Sequence, residues 1–252
     1  MQMLSKVKKG KQPLKPRRVL LYGVHGIGKT TWAAQWPKPI ILATEDGANE
    51  VDCDSIDCGT ALATKLAVQE LAGIAKHDYQ TIVIDSADWL ERLIWRDLCE
   101  KNNKQSIADF GYGKGYVDAA RVFESFLTKL DEARNSKDQP CHIVFLAHAA
   151  IVRYESPDGP SYDRFAPKLH RETSALLQEW ADEVLFAQYE VFTKGVDEGF
   201  GRKRTVPIGN AKRVVRTQEA PAYLAKNRLG LPETLDLEFA ALAPFLTNKE
   251  QK

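Results

Sequence analysis

RVLLYGVHGIGKTTWAAQW, residues 18–36, sets an apolar run, a glycine-rich loop and a helix-like run end to end. RVLLYG has the composition of a short buried strand, and the residues after the loop read as a helix that stops before Trp36-Pro37. Between them Gly23, Gly28, Lys29 and Thr30 fill the spacing G-x-x-x-x-G-K-[ST], with a further glycine at Gly26. Glycines let backbone N–H groups converge on phosphate oxygens where the helix begins. The strand–loop–helix context therefore predicts a nucleotide cradle made by Gly23, Gly26, Ile27, Gly28, Lys29, Thr30 and Thr31. Lys29 would reach the outer phosphates of ATP, and Thr30 would ligate Mg²⁺.

The rest of the chain fits one α/β domain around that loop. With 252 residues, 44% hydrophobic and 27% charged, it has the composition of an ordinary globular protein. A net charge of +1 gives no global pull toward nucleic acid or membrane. Charge is nevertheless uneven: Lys6, Lys8, Lys9, Lys11, Lys15 and Arg17 precede Arg18 with no acid among them, and GRKRTVPIGNAKRVVR (201–216) is a second acid-free tract. Such tracts serve as solvated surface or as nucleic-acid contacts. Cys53, Cys58, Cys99 and Cys141 form no CxxC pair and read as reduced thiols. The longest apolar run is too short to span a bilayer and no signal peptide is evident, so a soluble, cytoplasmic protein without a membrane partner is expected.

Further strands are expected at PIILAT (39–44), TIVID (81–85), CHIVFLAHA (141–149) and DEVLFAQYEVFT (182–193). Helices are expected over 60–77, with Leu62, Leu66, Leu71 and Ile74 on one side, then through Leu90–Leu98, through Ala119–Leu130, at ETSALLQEW and at LEFAALAPFL. DFGYGKGY (109–116) and VRYESPDGPSYDRFAPK (152–168) read as loops, and RTVPI and RVVRT as short hairpin strands at a sheet edge. This alternation predicts a mostly parallel, doubly wound sheet with an antiparallel C-terminal extension, spanning 17–245 between a basic tail (1–16) and a short C-terminal tail (246–252).

Loops at the carboxyl ends of parallel strands converge near a phosphate loop. Asp85, ending TIVID, is placed to hold Mg²⁺ with Thr30, whereas Asp88 reads as a helix N-terminal residue. The second strand ends in Glu45-Asp46 and the fourth in His148, and AKNRLG later offers Lys226 and Arg228. Each has a plainer reading: a turn residue, a satisfied buried histidine, or surface charge.

This set, in this order, resembles the ATPase core of RecA-type recombinases and hexameric helicases. With FGYGKGY and the basic tail it is similar to phage-encoded P-loop proteins with a RecA-like core, some of which are single-strand annealing proteins or recombinases. The resemblance implies that Glu45 is the catalytic base and that His148 senses the γ-phosphate, at a position usually held by Gln in RecA itself. It further implies that Lys226 and Arg228 reach a neighbouring subunit's site, so that the protein self-associates as a ring or filament. Segments after the third and fourth strands would face single-stranded DNA, which assigns DNA binding to Tyr112, Lys114, Tyr116, Arg153, Arg164 and Lys168: aromatic faces stack on bases while cations follow phosphates. The implied function is an ATP-binding, ATP-hydrolysing, single-stranded-DNA-binding protein of phage recombination, annealing or replication, located in the host cytoplasm. It could have a single-strand-binding or replication protein as a further partner. Two other classes stay open: a nucleotide-gated interaction module such as a helicase loader or regulator, and a P-loop nucleoside or nucleotide kinase. The kinase would want an arginine-rich lid, and VRYESPDGPSYDR offers only Arg153 and Arg164.

Overall fold

The computed structural model describes residues 10, 13–47, 50–74, 76–197 and 203–246, and their side chains apart from 74, 191–197 and 203–211. Lys6, Lys8, Lys9, Lys11, residues 201–202 and the tail from 247 lie outside the described residues.

The strand that leads into the glycine loop, β1 (Arg18–Gly23), is central. It pairs in parallel with β5 (His142–Tyr154) on one side and β7 (Glu183–Asp197) on the other. Beyond β5 the parallel sheet continues through β4 (Thr81–Asp85), β2 (Pro39–Ala43) and the edge strand β3 (Asp54–Asp57). Beyond β7 the direction reverses: β8 (Lys203–Arg216) pairs antiparallel with β7, and β10 (Thr234–Asp236) antiparallel with β8. The order β3-β2-β4-β5-β1-β7-β8-β10 is the expected mostly parallel α/β sheet with an antiparallel extension.

Alternation along β1 explains why both faces are covered. Leu20 and Tyr22 point to one core with Leu42, Ile84 and Phe145, and Val19 and Leu21 to the other with Ile41, Val83 and Leu146. The first core lies under α2 (Ala61–Gln69), α3 (Ala87–Lys101), α4 (Lys114–Arg134) and α5 (Arg171–Trp180). The second lies under α1 (Lys29–Ala33) and α6 (Phe239–Leu246). At the amino ends of the strands, Arg18, Arg134 and Arg228 all meet Asp182, and Arg17 pairs with Glu183.

Several sequence expectations require correction. The helix expected over 60–77 is capped by the Thr60 hydroxyl, which accepts from the Ala63 N–H at 3.0 Å, but it kinks at Gly73 (φ 135°). Its buried side carries Ala61, Thr64, Ala67 and Val68, while Leu62 (61% exposed) and Leu66 (50%) face outward, because small residues are what fit against α3 and α4. Strand β3, exposed at each residue, has no apolar pattern to reveal it. The segment 152–168 is not a loop: β5 runs on past the sheet and pairs with β6 (Tyr162–Pro167) as a hairpin, from Ala149↔Pro167 to Tyr154↔Tyr162. RTVPI and RVVRT are one strand, β8: Gly209 pairs with Val191, and the register shifts between that pair and Tyr189↔Arg213. Residues Lys114–Tyr116, expected in a flexible glycine loop, form the first turn of α4.

Candidate nucleotide site and neighbouring surfaces

β1 delivers the glycine loop to the carboxyl edge of the sheet. Gly23 is paired with Ala187 of β7, and a Cβ there would stand 2.5 Å from the Ala187 carbonyl oxygen, so close strand packing itself demands glycine. Gly26 (φ 70°) and Gly28 (φ 99°) adopt the left-handed backbone that lets the loop turn. Ile27 anchors the loop by full burial in the second core. Lys29, 8% exposed, donates to the carbonyls of Gly23 (3.4 Å) and Val24 (3.2 Å), and burial holds its pKa below the ordinary lysine value.

A cavity of about 400 Å³ opens over this loop, lined by His25, Gly26, Gly28, Lys29, Thr30, Thr31, Glu45, Asp85 and His148 among others. Four separate segments of sequence thus meet in one place. The Thr30 hydroxyl donates to Asp85 Oδ2 at 2.6 Å, which joins the two expected Mg²⁺ ligands across the cavity floor. Burial raises the Asp85 pKa above the usual carboxylate value. Two protein oxygens fit Mg²⁺, which takes most of its coordination from water and substrate phosphates rather than from an all-protein cage. Among the described residues no group of three or more His, Cys, Asp or Glu could hold a metal by itself.

Glu45 is half-buried at the end of β2, and its Oε1 accepts from the Ser86 hydroxyl at 2.8 Å. Burial raises its pKa, which favours a carboxylate able to take a proton. Ser86 is fixed in turn, since its N–H donates to Thr44 Oγ1 and its carbonyl accepts from that hydroxyl, both at 2.8 Å.

His148 ends the sheet-bound part of β5 and is 7% exposed. Its main-chain N–H donates to Asp88 Oδ1 at 3.0 Å, and its Nδ1 stands 2.9 Å from Asp88 Oδ2. Asp88 is therefore more than a helix N-terminal residue. Although burial works against it, the hydrogen bonds from His148 hold the Asp88 carboxyl below its ordinary pKa. An ionised Asp88 makes Nδ1 a donor and leaves Nε2 as the ring atom for the cavity. The His148 ring stacks on His25 of the glycine loop at 4.0 Å between centroids, and proximity to His148 lowers the His25 pKa.

The sequence also gave no sign of Arg213. From β8 its guanidinium lies 3.4 Å from the Ile27 carbonyl and 2.6 Å from where a Cβ on Gly28 would stand. A three-residue spacing from Asp85 was available to point to Asp88, but nothing local singles out Arg213 within its basic tract.

Lys226 and Arg228 are not at this site. Lys226, on β9 (Lys226–Asn227), donates its ammonium to the carbonyls of Gln178 (2.9 Å), Glu179 (3.0 Å) and Ala181 (2.6 Å). All three donors are consumed in closing the C-terminal end of α5, which corrects the reading of Lys226 as a charge held out to a neighbour. Arg228 pairs with Asp182 at 3.3 Å among the ions at the amino end of the sheet, opposite the glycine loop, with its side chain 53% exposed.

The six DNA candidates divide likewise. Tyr112 is fully exposed at φ 47°, and Lys114 is exposed at the start of α4. Tyr116 is instead stacked on His170 at 4.1 Å and meets Trp95 edge-on at 5.4 Å, so its ring face is occupied and it is corrected to a packing residue. On the hairpin, Arg153 pairs with Asp163 at 3.4 Å with both side chains exposed. Arg164 lies over the Tyr154 ring at 4.1 Å and pairs with Glu219 at 3.5 Å. Lys168 is exposed, and its main-chain N–H donates to the His148 carbonyl at 2.8 Å.

A prophage-derived protein of Bacillus subtilis (strain 168), described as the SPbeta prophage-derived uncharacterized protein YorG, is 27% identical over 243 residues. The alignment covers 94% of this chain but spans only 66% of that relative's length. Among solved structures, the crystal structure of the RadB recombinase matches with a TM-score of 0.40 and 11% identity over 80% of each chain. No helix among the described residues is long and apolar enough to cross a membrane. A family model described as an AAA domain matches residues 15–229, from just before β1 through β9. The chain belongs to the AAA-domain family.

Proposed function

We propose that the protein hydrolyses ATP with Mg²⁺ and binds single-stranded DNA in phage recombination, annealing or replication, on a RecA-like core and as a self-associating assembly. The observation that carries this reading is the convergence of Glu45, Asp85 and His148 on the glycine loop in one cavity. Lys29 would bind the outer phosphates, and Thr30 with Asp85 would hold the Mg²⁺ that neutralises phosphate charge. Glu45, oriented by Ser86, takes the proton of the attacking water. His148 faces the terminal phosphate with Nε2, the ring nitrogen that its contact with Asp88 leaves to the cavity.

The link to DNA is the strand itself. β5 carries His148 at the cavity and then continues without a break into the hairpin that bears Arg153, Arg164 and, past its return, Lys168. Tyr112 and Lys114 supply an exposed ring and cation on the α4 side. The phage setting draws on the prophage-derived relative. With Lys226 engaged internally, Arg228 is the group left to act across a subunit interface.

The test is fluorescence anisotropy of a labelled oligo-dT with Mg·ATP over a salt series. Binding should weaken with salt and fall for Tyr112→Ala, Lys114→Ala and Arg164→Ala. Equal affinity for all three variants and the wild type removes DNA from the proposal. In that case ATP binding without a DNA response favours the loader or regulator reading.

A further inference from the structure

α3 presents two carboxylates one helical turn apart, Asp88 (2% exposed) and Glu91 (4% exposed), both turned into the protein. Asp88 grips His148, as described above. Glu91 accepts the main-chain N–H of His170 with both oxygens, at 3.0 and 3.2 Å. His170 is the cap residue of α5 and lies two residues beyond Lys168, whose N–H is bonded to the His148 carbonyl. One turn beyond Glu91, Trp95 packs edge-on against Tyr116 and His170, which are themselves stacked with an interplanar angle of 7°. A single face of α3 thus touches the nucleotide-facing strand end, the start of α5 and the first turn of α4.

A buried carboxylate is costly to desolvate, and Glu91 offsets part of that cost by satisfying the His170 N–H, which an apolar side chain would leave without an acceptor. What the carboxylate adds is a two-oxygen hold on one N–H, which fixes the start of α5 to α3.

We infer that Glu91 is a positioning residue that links the nucleotide site to the neighbouring helices: displacement of His148 by nucleotide moves α3 through Asp88, and α3 moves the starts of α5 and α4 through Glu91 and Trp95. This rests on the reading of His148 as the residue that meets the nucleotide, and it requires no DNA.

Hydrogen–deuterium exchange of the full chain tests it, with and without Mg²⁺ and the slowly hydrolysed analogue ATPγS. In the wild type, nucleotide should slow exchange at least threefold in residues 168–174 and 113–117. Glu91→Leu should bind a fluorescent ATP analogue within threefold of wild-type affinity yet lose the slowing in both segments. Glu91→Gln keeps one oxygen for the His170 N–H and should retain more than half of it. A Glu91→Leu protein that responds like the wild type overturns the inference. So does a wild type in which bound nucleotide alters neither segment, or a Glu91→Leu protein that no longer binds nucleotide. Since DNA is absent throughout, failure of the DNA reading leaves this outcome intact, and the converse holds.

Discussion

Replacing Asp88 with Ala tests how His148 is held. Both Asp88 oxygens are used, one by the His148 main-chain N–H at 3.0 Å and one by Nδ1 at 2.9 Å, and both residues are nearly buried. Alanine leaves two donors without an acceptor in a buried place, at about 1–3 kcal/mol each. Water entering the vacated space recovers part of this, so the expected loss is roughly 2–4 kcal/mol. The change should appear as a lower urea midpoint with an unaltered m-value. Asp88→Asn keeps one oxygen and should lose about half as much, but its amide cannot accept from Nδ1 and reverses the ring's preferred tautomer. ATP turnover should therefore fall at least tenfold in both variants, while nucleotide affinity changes much less. A stability loss under about 1 kcal/mol together with wild-type turnover would refute the claim that Asp88 orients a nucleotide-facing histidine.

Three other outcomes follow from the geometry. His142 Nδ1 accepts the Arg17 N–H at 3.0 Å, and burial first, then the nearby arginines, lower its pKa from 6.5 to about 4. The folded state keeps this ring neutral while the unfolded chain protonates, so stability is whole above pH 6.5 and declines toward pH 4. The decline should reach roughly 1–2 kcal/mol at pH 5 and be absent in His142→Asn; equal pH slopes for the two proteins in urea titrations would rule it out. Lys226→Met uncaps α5 and should cost about 1–2 kcal/mol with turnover unchanged, whereas a large fall in turnover at unchanged stability would return Lys226 to an interface role. Tyr116→Ala should lower the melting temperature because its ring packs on His170, whereas Tyr112→Ala should leave melting unchanged.

The glycine loop and the parallel strands were legible because each is a local pattern: a fixed spacing in the loop, and apolar runs with polar ends at PIILAT, TIVID and FLAHA. Glu45, Asp85 and His148 could be named from those strand ends alone, since parallel strands bring their carboxyl ends together. What stayed hidden depends on contacts distant in sequence. Strand β3 is exposed throughout and pairs only through its backbone, so it leaves no apolar trace. The 152–168 hairpin is obscured by its prolines and polar residues: Pro157 and Pro160 lie in its turn, while Arg153, Asp163, Arg164 and Pro167 take part in the pairing itself. Asp88 does lie in the first turn of α3, but its hold on His148, like the stacking of Tyr116 on His170, leaves no local trace because the partners lie 60 and 54 positions away in the chain. Lys226 has the composition of an interaction residue, and only the position of the α5 carbonyls shows otherwise.

Glu45 is proposed to make the glycine-loop cavity a hydrolytic site that responds to DNA. Steady-state phosphate release, with and without single-stranded DNA, from the wild type and Glu45→Gln decides it. Glutamine keeps the Ser86 hydrogen bond and the side-chain volume, so nucleotide binding should persist. Loss of a general base predicts a 10²–10⁴-fold fall, roughly, in turnover, and the wild type should be faster with DNA present. Turnover by Glu45→Gln at the wild-type rate would remove Glu45 as the base, and a wild-type rate indifferent to DNA would remove the coupling to DNA.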